Sequence, residues 1–227
     1  MRAHIVVIGE HSEPARVSDA TGKDIEGRMR RRELIAGGAA LAGLPLAARA
    51  QNATDTTEAA AGMLDGTGQP MMAPHIVQLV EPFPPGEVHV FPGPFRLYWT
   101  LEDAYAWVYP IRIGRDNLYE AGEYYVGAKK EWPSWTPTPD MIEREPEKYK
   151  QYEDGMPGGP NNPLGARALY LFTEERGDTF LRIHGTNDPN TIGRAVSNGC
   201  AGLINEHMIN LYDKVPMGAR VVLYPKA

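Results

Sequence analysis

Hydrophobic and polar residues alternate in short runs along the second half of the chain, and this pattern predicts β-strands. The clearest alternation is Glu-Val-His-Val-Phe at residues 87–91. Two β-rich runs, 96–101 and 104–109, flank Glu102-Asp103, which predicts a tight hairpin. Further strands are predicted at 123–126, 168–172, 179–184 and 220–224. Short strands with frequent turns predict a mainly β domain, a sandwich or barrel rather than a parallel α/β sheet.

Two segments break the strand pattern. Residues 132–165 are rich in proline and glycine, and such a long excursion from a compact domain predicts a functional flap. Inside it, the charged stretch 140–152 predicts a short helix that Pro146 interrupts. Residues 205–215 carry an apolar stripe at helical spacing, which predicts a second short helix with Asn205 as its N-cap.

The composition, 42% hydrophobic and 23% charged, is typical of a globular protein with a real core. The net charge of −6 argues against nucleic acid as a partner. This charge is uneven along the chain. Residues 1–50 hold 8 Lys/Arg and 6 Asp/Glu, whereas residues 51–227 hold 15 and 23. A basic leader on an acidic body indicates an export signal.

The leader itself resembles a twin-arginine signal. Arg30-Arg31-Arg32-Glu33-Leu34-Ile35 opens it, an Ala/Gly-rich stretch follows, and Ala48-Arg49-Ala50 offers a cleavage site. An N-terminal anchor or a short buried helix is the alternative, and Met29 is an alternative start of translation. We therefore assign residues 1–50 to an export signal, 51–74 to a flexible linker and 75–227 to the folded domain that carries the function. No transmembrane span is expected in the mature protein.

The chain has one cysteine, Cys200, and His184 lies sixteen positions before it. An exported protein with an unpaired thiol indicates a reactive cysteine, although a small buried apolar residue is the alternative. A thiol with a pKa of about 8.5 is mostly protonated at neutral pH, so a neighbouring imidazole that takes its proton would activate it. The carbonyl of Gly185 or Thr186 is the expected acceptor that orients the imidazole. The backbone N–H groups of Cys200 and near Gly199 are candidates for stabilising an oxyanion.

At these residues the chain resembles the L,D-transpeptidases with the YkuD catalytic domain. The family pattern is a histidine, a loop, and then Ser/Thr-His-Gly-Cys, an apolar residue and Arg or Asn. The resemblance covers about residues 75–225, and it includes Tyr109-Pro110-Ile111, Gly127-Ala128-Lys129, Trp132-Pro133-Ser134-Trp135, Asn162-Pro163-Leu164-Gly165, Arg182-Ile183-His184-Gly185-Thr186 and Ser197-Asn198-Gly199-Cys200.

The resemblance implies a YkuD-type β domain and a periplasmic enzyme that acts on peptidoglycan stem peptides, both donor and acceptor. Such enzymes cleave the bond after diaminopimelate, release D-Ala and pass the acyl group from cysteine to an amine, with no metal or cofactor. Cys200 would be the nucleophile and His184 the base, and Ser197 and Gly199 would shape the loop. The substrate-binding candidates are Arg182, Thr186, Arg194, Trp132 and Trp135.

The sequence departs from the family pattern after the cysteine. Asn198 stands where a second histidine is common, and Ala201-Gly202 replaces a larger apolar residue followed by Arg or Asn. From this pair we predict a non-standard cross-link, 1→3, between L-Ala and diaminopimelate. The alternatives are a carboxypeptidase or hydrolase on the same scaffold and a peptidoglycan-binding module that has lost its activity. The scattered histidines, such as His75, His89 and His207, show no spacing typical of a metal site.

Overall fold

A ten-stranded mixed sheet dominates the domain. The computed structural model describes residues 7–10 and 73–226. The strands are β1 (Val7–Glu10), β2 (His75–Leu79), β3 (Val88–Phe91), β4 (Arg96–Thr100), β5 (Tyr105–Pro110), β6 (Ile113–Gly114), β7 (Gly122–Glu131), β8 (Arg167–Thr173), β9 (Gly177–His184), β10 (Ala195–Ser197), β11 (Ala201–Gly202) and β12 (Arg220–Leu223). Ten strands form the main sheet in the order β1-β2-β5-β4-β3-β12-β7-β8-β9-β11, and β6 and β10 form a separate parallel pair. The prediction of a mainly β domain is confirmed.

The central strands β3 to β5 are covered on both faces of the sheet. Val88 and Val90 point into the larger core, whereas Phe91 belongs to a smaller core with Tyr98. Successive side chains of a strand point to opposite faces of the sheet. The side chains of β3 therefore enter the two cores in turn. His89 is accordingly buried rather than exposed.

Two short helices lie in the proline-rich excursion, which we call the flap (residues 132–165). They are α1 (Pro139–Arg144) and α2 (Pro146–Tyr149). Proline is tolerated in the first turn of a helix, because the N–H that it lacks would have no partner there. Pro146 therefore prevents α1 from continuing and is the first residue of α2. The predicted interruption is confirmed.

The C-terminal helix α3 (Asn205–Lys214) confirms the prediction for residues 205–215, with one correction. The N-cap is Ile204, and Asn205 is the first helical residue. Its side-chain Oδ1 instead accepts a hydrogen bond of 2.9 Å from the backbone N–H of Ala166. At the other end, Nζ of Lys129 donates to the carbonyls of Tyr212 and Val215, at 2.6 and 2.7 Å, which satisfies carbonyls that the helix leaves open.

His207 on α3 makes the stability of the fold sensitive to acid. It is buried, neither ring nitrogen has a hydrogen-bond partner, and burial lowers its pKa to about 4. Unfolded histidine titrates near pH 6.5, so between pH 6.5 and 4 the unfolded chain takes up a proton that the folded chain refuses. The free energy of unfolding therefore falls as the pH falls through this window.

We expect the loss of unfolding free energy between pH 7 and pH 4.5 to be about 2 kcal/mol smaller in His207→Leu than in the wild type, at about 1.4 kcal/mol per pKa unit. Urea denaturation at the two pH values measures it. The carboxylates titrate in both proteins, so their contribution cancels in the comparison. If both proteins lost the same unfolding free energy between the two pH values, His207 would not be neutral in the folded protein.

Most of the predicted export signal and linker lie outside the described residues. Only residues 7–10 of the signal and residues 73 and 74 of the linker are described, so the arginine run and the cleavage site are not among them. Within the part of the chain that the structure describes, no helix has both the length and the apolar character needed to cross a membrane.

Candidate active site

A cleft of about 620 Å³ contains both Cys200 and His184. The main sheet supplies one wall through β9, the cysteine loop (residues 195–200) supplies another, and the flap lies opposite. The residues that line this cleft include Arg112, Trp135, Tyr149, Phe180, Arg182 and Asn198.

The pairing of β11 with β9 places the cysteine and the histidine on neighbouring strands that border the cleft. The two strands are parallel, with Ala201 opposite Ile183 and Gly202 opposite His184. Cys200 directly precedes β11. Since side chains two positions apart on a strand share a face, Cys200 lies on the same face of the sheet as Gly202 and His184. Local strand register thus brings together two residues that a sixteen-residue interval separates.

The imidazole of His184 is held in one tautomer. Its Nδ1 lies 2.5 Å from the carbonyl oxygen of Gly185, which can only accept, so Nδ1 carries the hydrogen and donates it. Gly185 is one of the two acceptors expected from the sequence. Burial first, and then the charge of Arg112, lowers the pKa of His184 to about 3. At neutral pH the ring is therefore uncharged, and Nε2 is free to accept a proton.

The surroundings of Cys200 shift the pKa of its thiol in opposite directions. Burial raises its pKa, whereas a backbone hydrogen bond from Arg182 and the charges of Arg182 and Arg112 act to lower it. The result is a raised pKa, so the resting site holds a neutral thiol beside a neutral imidazole. Such a pair reacts through proton transfer to the imidazole at the moment of attack.

The backbone around Cys200 is fixed by its loop. The hydroxyl of Ser197 donates to the carbonyl of Cys200 at 2.6 Å. Gly199 has φ of +123°, a conformation that side chains disfavour, and a Cβ there would lie 2.9 Å from the carbonyl oxygen of Leu118. Both residues thus determine where the cysteine points.

The flap is tied to the cysteine loop by Asn198. Its Nδ2 donates to the hydroxyl of Tyr149 at 2.8 Å, and its Oδ1 accepts from Nη2 of Arg144 at 3.0 Å. A further ion pair joins Glu145 of the flap to Arg115, with 2.5 Å between Oε2 and Nη2. The residue that departs from the family pattern therefore holds the flap over the cleft. The sequence analysis did not single out these flap residues, because charged residues in a short helix usually only face solvent.

The predicted substrate-binding residues divide between the cleft and other places. Trp135 lines the cleft and packs edge-on against two flap tyrosines. Arg182 also lines it, but its guanidinium forms two hydrogen bonds to Asp178, of 2.7 and 2.9 Å, and stacks on Tyr170. Three other candidates lie outside the cleft lining: Trp132, Thr186 and Arg194.

Arg112 was missed by the sequence analysis. It directly follows Tyr109-Pro110-Ile111, one of the segments that resemble the family, and it lies between two buried isoleucines, Ile111 and Ile113. A charged residue inside such an apolar run was the available signal, since buried charges are rare unless they have a role. Among the described residues, no three His, Cys, Asp or Glu side chains gather into a group that could hold a metal ion.

A cysteine and a histidine in one cleft of a mainly β domain define a candidate cysteine-dependent enzyme. The sequence profile of the YkuD family, the L,D-transpeptidase catalytic domain, matches residues 85–223. This match covers more than half of the chain, and the protein belongs to the YkuD family of L,D-transpeptidase catalytic domains.

Individual relatives agree with this assignment. The chain is 39% identical over 127 residues to a putative L,D-transpeptidase in the ATP synthase subunits region of Fuscovulum blasticum, and the match covers 55% of this chain and 61% of that protein. It is 36% identical over 129 residues to the probable L,D-transpeptidase ErfK/SrfK of Escherichia coli K12, covering 56% and 40%. The match thus spans less than two thirds of either relative.

Among solved structures, a protein of Brucella melitensis is 42% identical to the chain, with a TM-score of 0.48. The match covers 70% of this chain and 98% of that one, which is described as a probable carnitine operon oxidoreductase.

Proposed function

We propose that this protein is a peptidoglycan L,D-transpeptidase that forms cell-wall cross-links through an acyl-cysteine. The observation that carries the proposal is the pair of Cys200 and His184 in one cleft, with Nδ1 of the imidazole bound to the Gly185 carbonyl. A base in the same cleft as a nucleophile is the basic requirement of acyl transfer by a cysteine, and Nε2 of His184 would be that base.

The reaction would proceed in two steps. In the first, Nε2 of His184 takes the thiol proton, and the sulfur of Cys200 attacks the carbonyl carbon of the bond after diaminopimelate. The proton passes from the imidazole to the departing amine, so D-Ala leaves and a thioester remains. In the second, an amine of a neighbouring stem attacks the thioester and gives its proton to His184. The thiol then regains that proton. The backbone N–H of Cys200 would stabilise the oxyanion of each tetrahedral intermediate.

The leader sequence supports an extracytoplasmic site of action. The run Arg30-Arg31-Arg32 followed by an Ala/Gly-rich stretch favours export by the twin-arginine route, and the periplasm is where peptidoglycan stems occur. Both the donor and the acceptor in this proposal are stem peptides of peptidoglycan.

The acceptor site is the finer part of the proposal. Because Ala201-Gly202 replaces the usual residues after the cysteine, we propose a 1→3 cross-link between L-Ala of one stem and diaminopimelate of another. A product made solely of 3→3 dimers would contradict this choice of acceptor without affecting the thiol chemistry.

Incubation with purified muropeptides tests the activity. The wild-type protein is expected to form new dimers, and Cys200→Ala is expected to form none, since it lacks the nucleophile. Mass spectrometry with fragmentation identifies the products and the position that is joined. Shortened monomers alone would indicate a carboxypeptidase. An unchanged substrate in both samples would indicate a peptidoglycan-binding module.

A further inference from the structure

The space that a side chain at position 202 would occupy is filled by Arg112. The two residues are joined by two backbone hydrogen bonds, from the N–H of Arg112 to the carbonyl of Gly202 at 2.8 Å and in the reverse direction at 2.9 Å. A Cβ at Gly202 would collide with Nε of Arg112 and lie 2.8 Å from its Cγ. A side chain at 202 would therefore compete for the space that the Arg112 side chain occupies.

The guanidinium of Arg112 enters the cleft beside the reacting residues. It lines the cleft with Cys200 and His184, and its charge acts on both of them. Nη1 donates to the hydroxyl of Thr191 at 3.0 Å, whereas Nε is buried and has no hydrogen-bond partner. A buried donor without an acceptor is costly, so the site has a place for a negative charge that the resting enzyme does not provide.

Other charges around the thiol are engaged elsewhere. Arg182, the other cation beside Cys200, is paired with Asp178. The carboxylate of Asp188 attracts Arg112, but among residues 73–226 no carboxylate forms an ion pair with this guanidinium. The remaining charged residues on the cleft come from the flap and from the segment before β7: Glu120, Asp140, Arg144 and Lys148.

We propose that Arg112 is a positioning residue that acts as the counter-charge of the Cys200 thiolate, and that it takes the place of the side chain that position 202 lacks. Its part in acyl transfer rests on the proposed function. During attack, the thiol proton goes to Nε2 of His184 and the sulfur electron pair forms the new bond to carbon. Arg112 neither gives nor takes a proton. Its positive charge stabilises the sulfur while that sulfur is anionic.

The pairing of Arg112 with Gly202 also accounts for the glycine at position 202, where the sequence departs from the family pattern. The family pattern has Arg or Asn at this position, whereas here the cationic group reaches the cysteine from a different backbone segment. The charge is kept, but its side chain approaches from the segment between β5 and β6 rather than from β11. This residue pair is therefore expected to behave as a unit, so that one member can be moved to the other position.

The pKa of the Cys200 thiol, measured through the pH dependence of its alkylation by iodoacetamide, tests this proposal on the full-length protein. Every protein in this test, the reference included, carries His184→Gln, so that only the thiolate reacts. In Arg112→Gln we expect the apparent pKa to rise by about one unit, which slows alkylation at pH 7 about tenfold. Arg112→Lys keeps the charge and is expected to lie between the two. The double variant Arg112→Gly with Gly202→Arg moves the guanidinium to the other strand and is expected to restore the wild-type value.

A matched control removes a positive charge elsewhere. Lys130→Gln changes the net charge equally, at an exposed position of β7 outside the cleft lining, and should leave the thiol pKa unchanged. Circular dichroism establishes that each variant is folded. An unchanged thiol pKa in folded Arg112→Gln overturns the proposal, and a double variant that behaves like Arg112→Gln overturns the equivalence of the two positions. Because alkylation needs no muropeptide, it tests Arg112 even if the wild type forms no cross-links.

Discussion

Replacing His184 by glutamine is expected to slow the acylation of Cys200 about 10²–10⁴-fold, the usual contribution of a positioned general base. Glutamine cannot carry the thiol proton, and the raised pKa of Cys200 leaves little thiolate to react without help. The rate is measured with a carbapenem as the acylating probe, by following the mass of the intact protein. His75→Gln, on β2 and outside the cleft lining, is the matched control and should react at the wild-type rate.

The pH dependence separates loss of the base from a general disturbance of the site. Because burial lowers the pKa of His184 to about 3 and the thiol titrates above its ordinary range, the neutral pair predominates from about pH 5 to pH 8. The wild-type rate should be flat across this range. In His184→Gln only the thiolate reacts, so the rate should rise about tenfold per pH unit. A wild-type rate that falls by half near pH 6.5 would show an ordinary, solvated histidine and contradict this account.

Substituting Gly165 by alanine is expected to lower the free energy of unfolding by about 3 kcal/mol or more. Gly165 has φ of +63°, and a Cβ there would collide with Oδ1 of Asn205 and lie 2.7 Å from the backbone of Gly185 and of Thr186. Backbone atoms beside His184 cannot move aside cheaply, so the substitution combines conformational strain with a collision. Urea denaturation followed by circular dichroism gives the change.

Gly177→Ala separates these two contributions. Its φ of +66° is nearly the same, but nothing lies within 4 Å of a Cβ at this turn. We expect this variant to lose only the cost of the left-handed conformation, about 1–2 kcal/mol. Similar losses in both variants would mean that the contacts of Gly165 with Asn205 and the histidine strand contribute nothing.

The strand pattern was predictable where runs are long enough to show a period. The predicted runs 87–91, 96–101 and 104–109 overlap strands β3 to β5, and the hairpin between the last two is present. The strands β6, β10 and β11 have only two or three residues, too few to show alternation. They exist because the cysteine loop packs beside neighbouring backbone, which a local pattern does not record.

Some residues of the candidate site were also predictable, because they lie close together in the sequence. The single thiol, the preceding histidine and the glycine before the cysteine are close in sequence, and a backbone carbonyl at 185 or 186 is always within reach of His184. The flap contacts were not predictable, since Asn198 and Tyr149 belong to segments whose meeting depends on how the flap folds back.

The sequence by itself determined that this chain contains a mainly β domain, and that its single cysteine follows a histidine by sixteen positions, because strand periodicity and short-range spacing are local properties. The tertiary structure decided which charges surround that cysteine. Arg112 and Gly202 are far apart in sequence, and their meeting follows from backbone pairing across the sheet edge. Electrostatic effects on a thiol depend on distance and burial, and these are set only when the chain has folded.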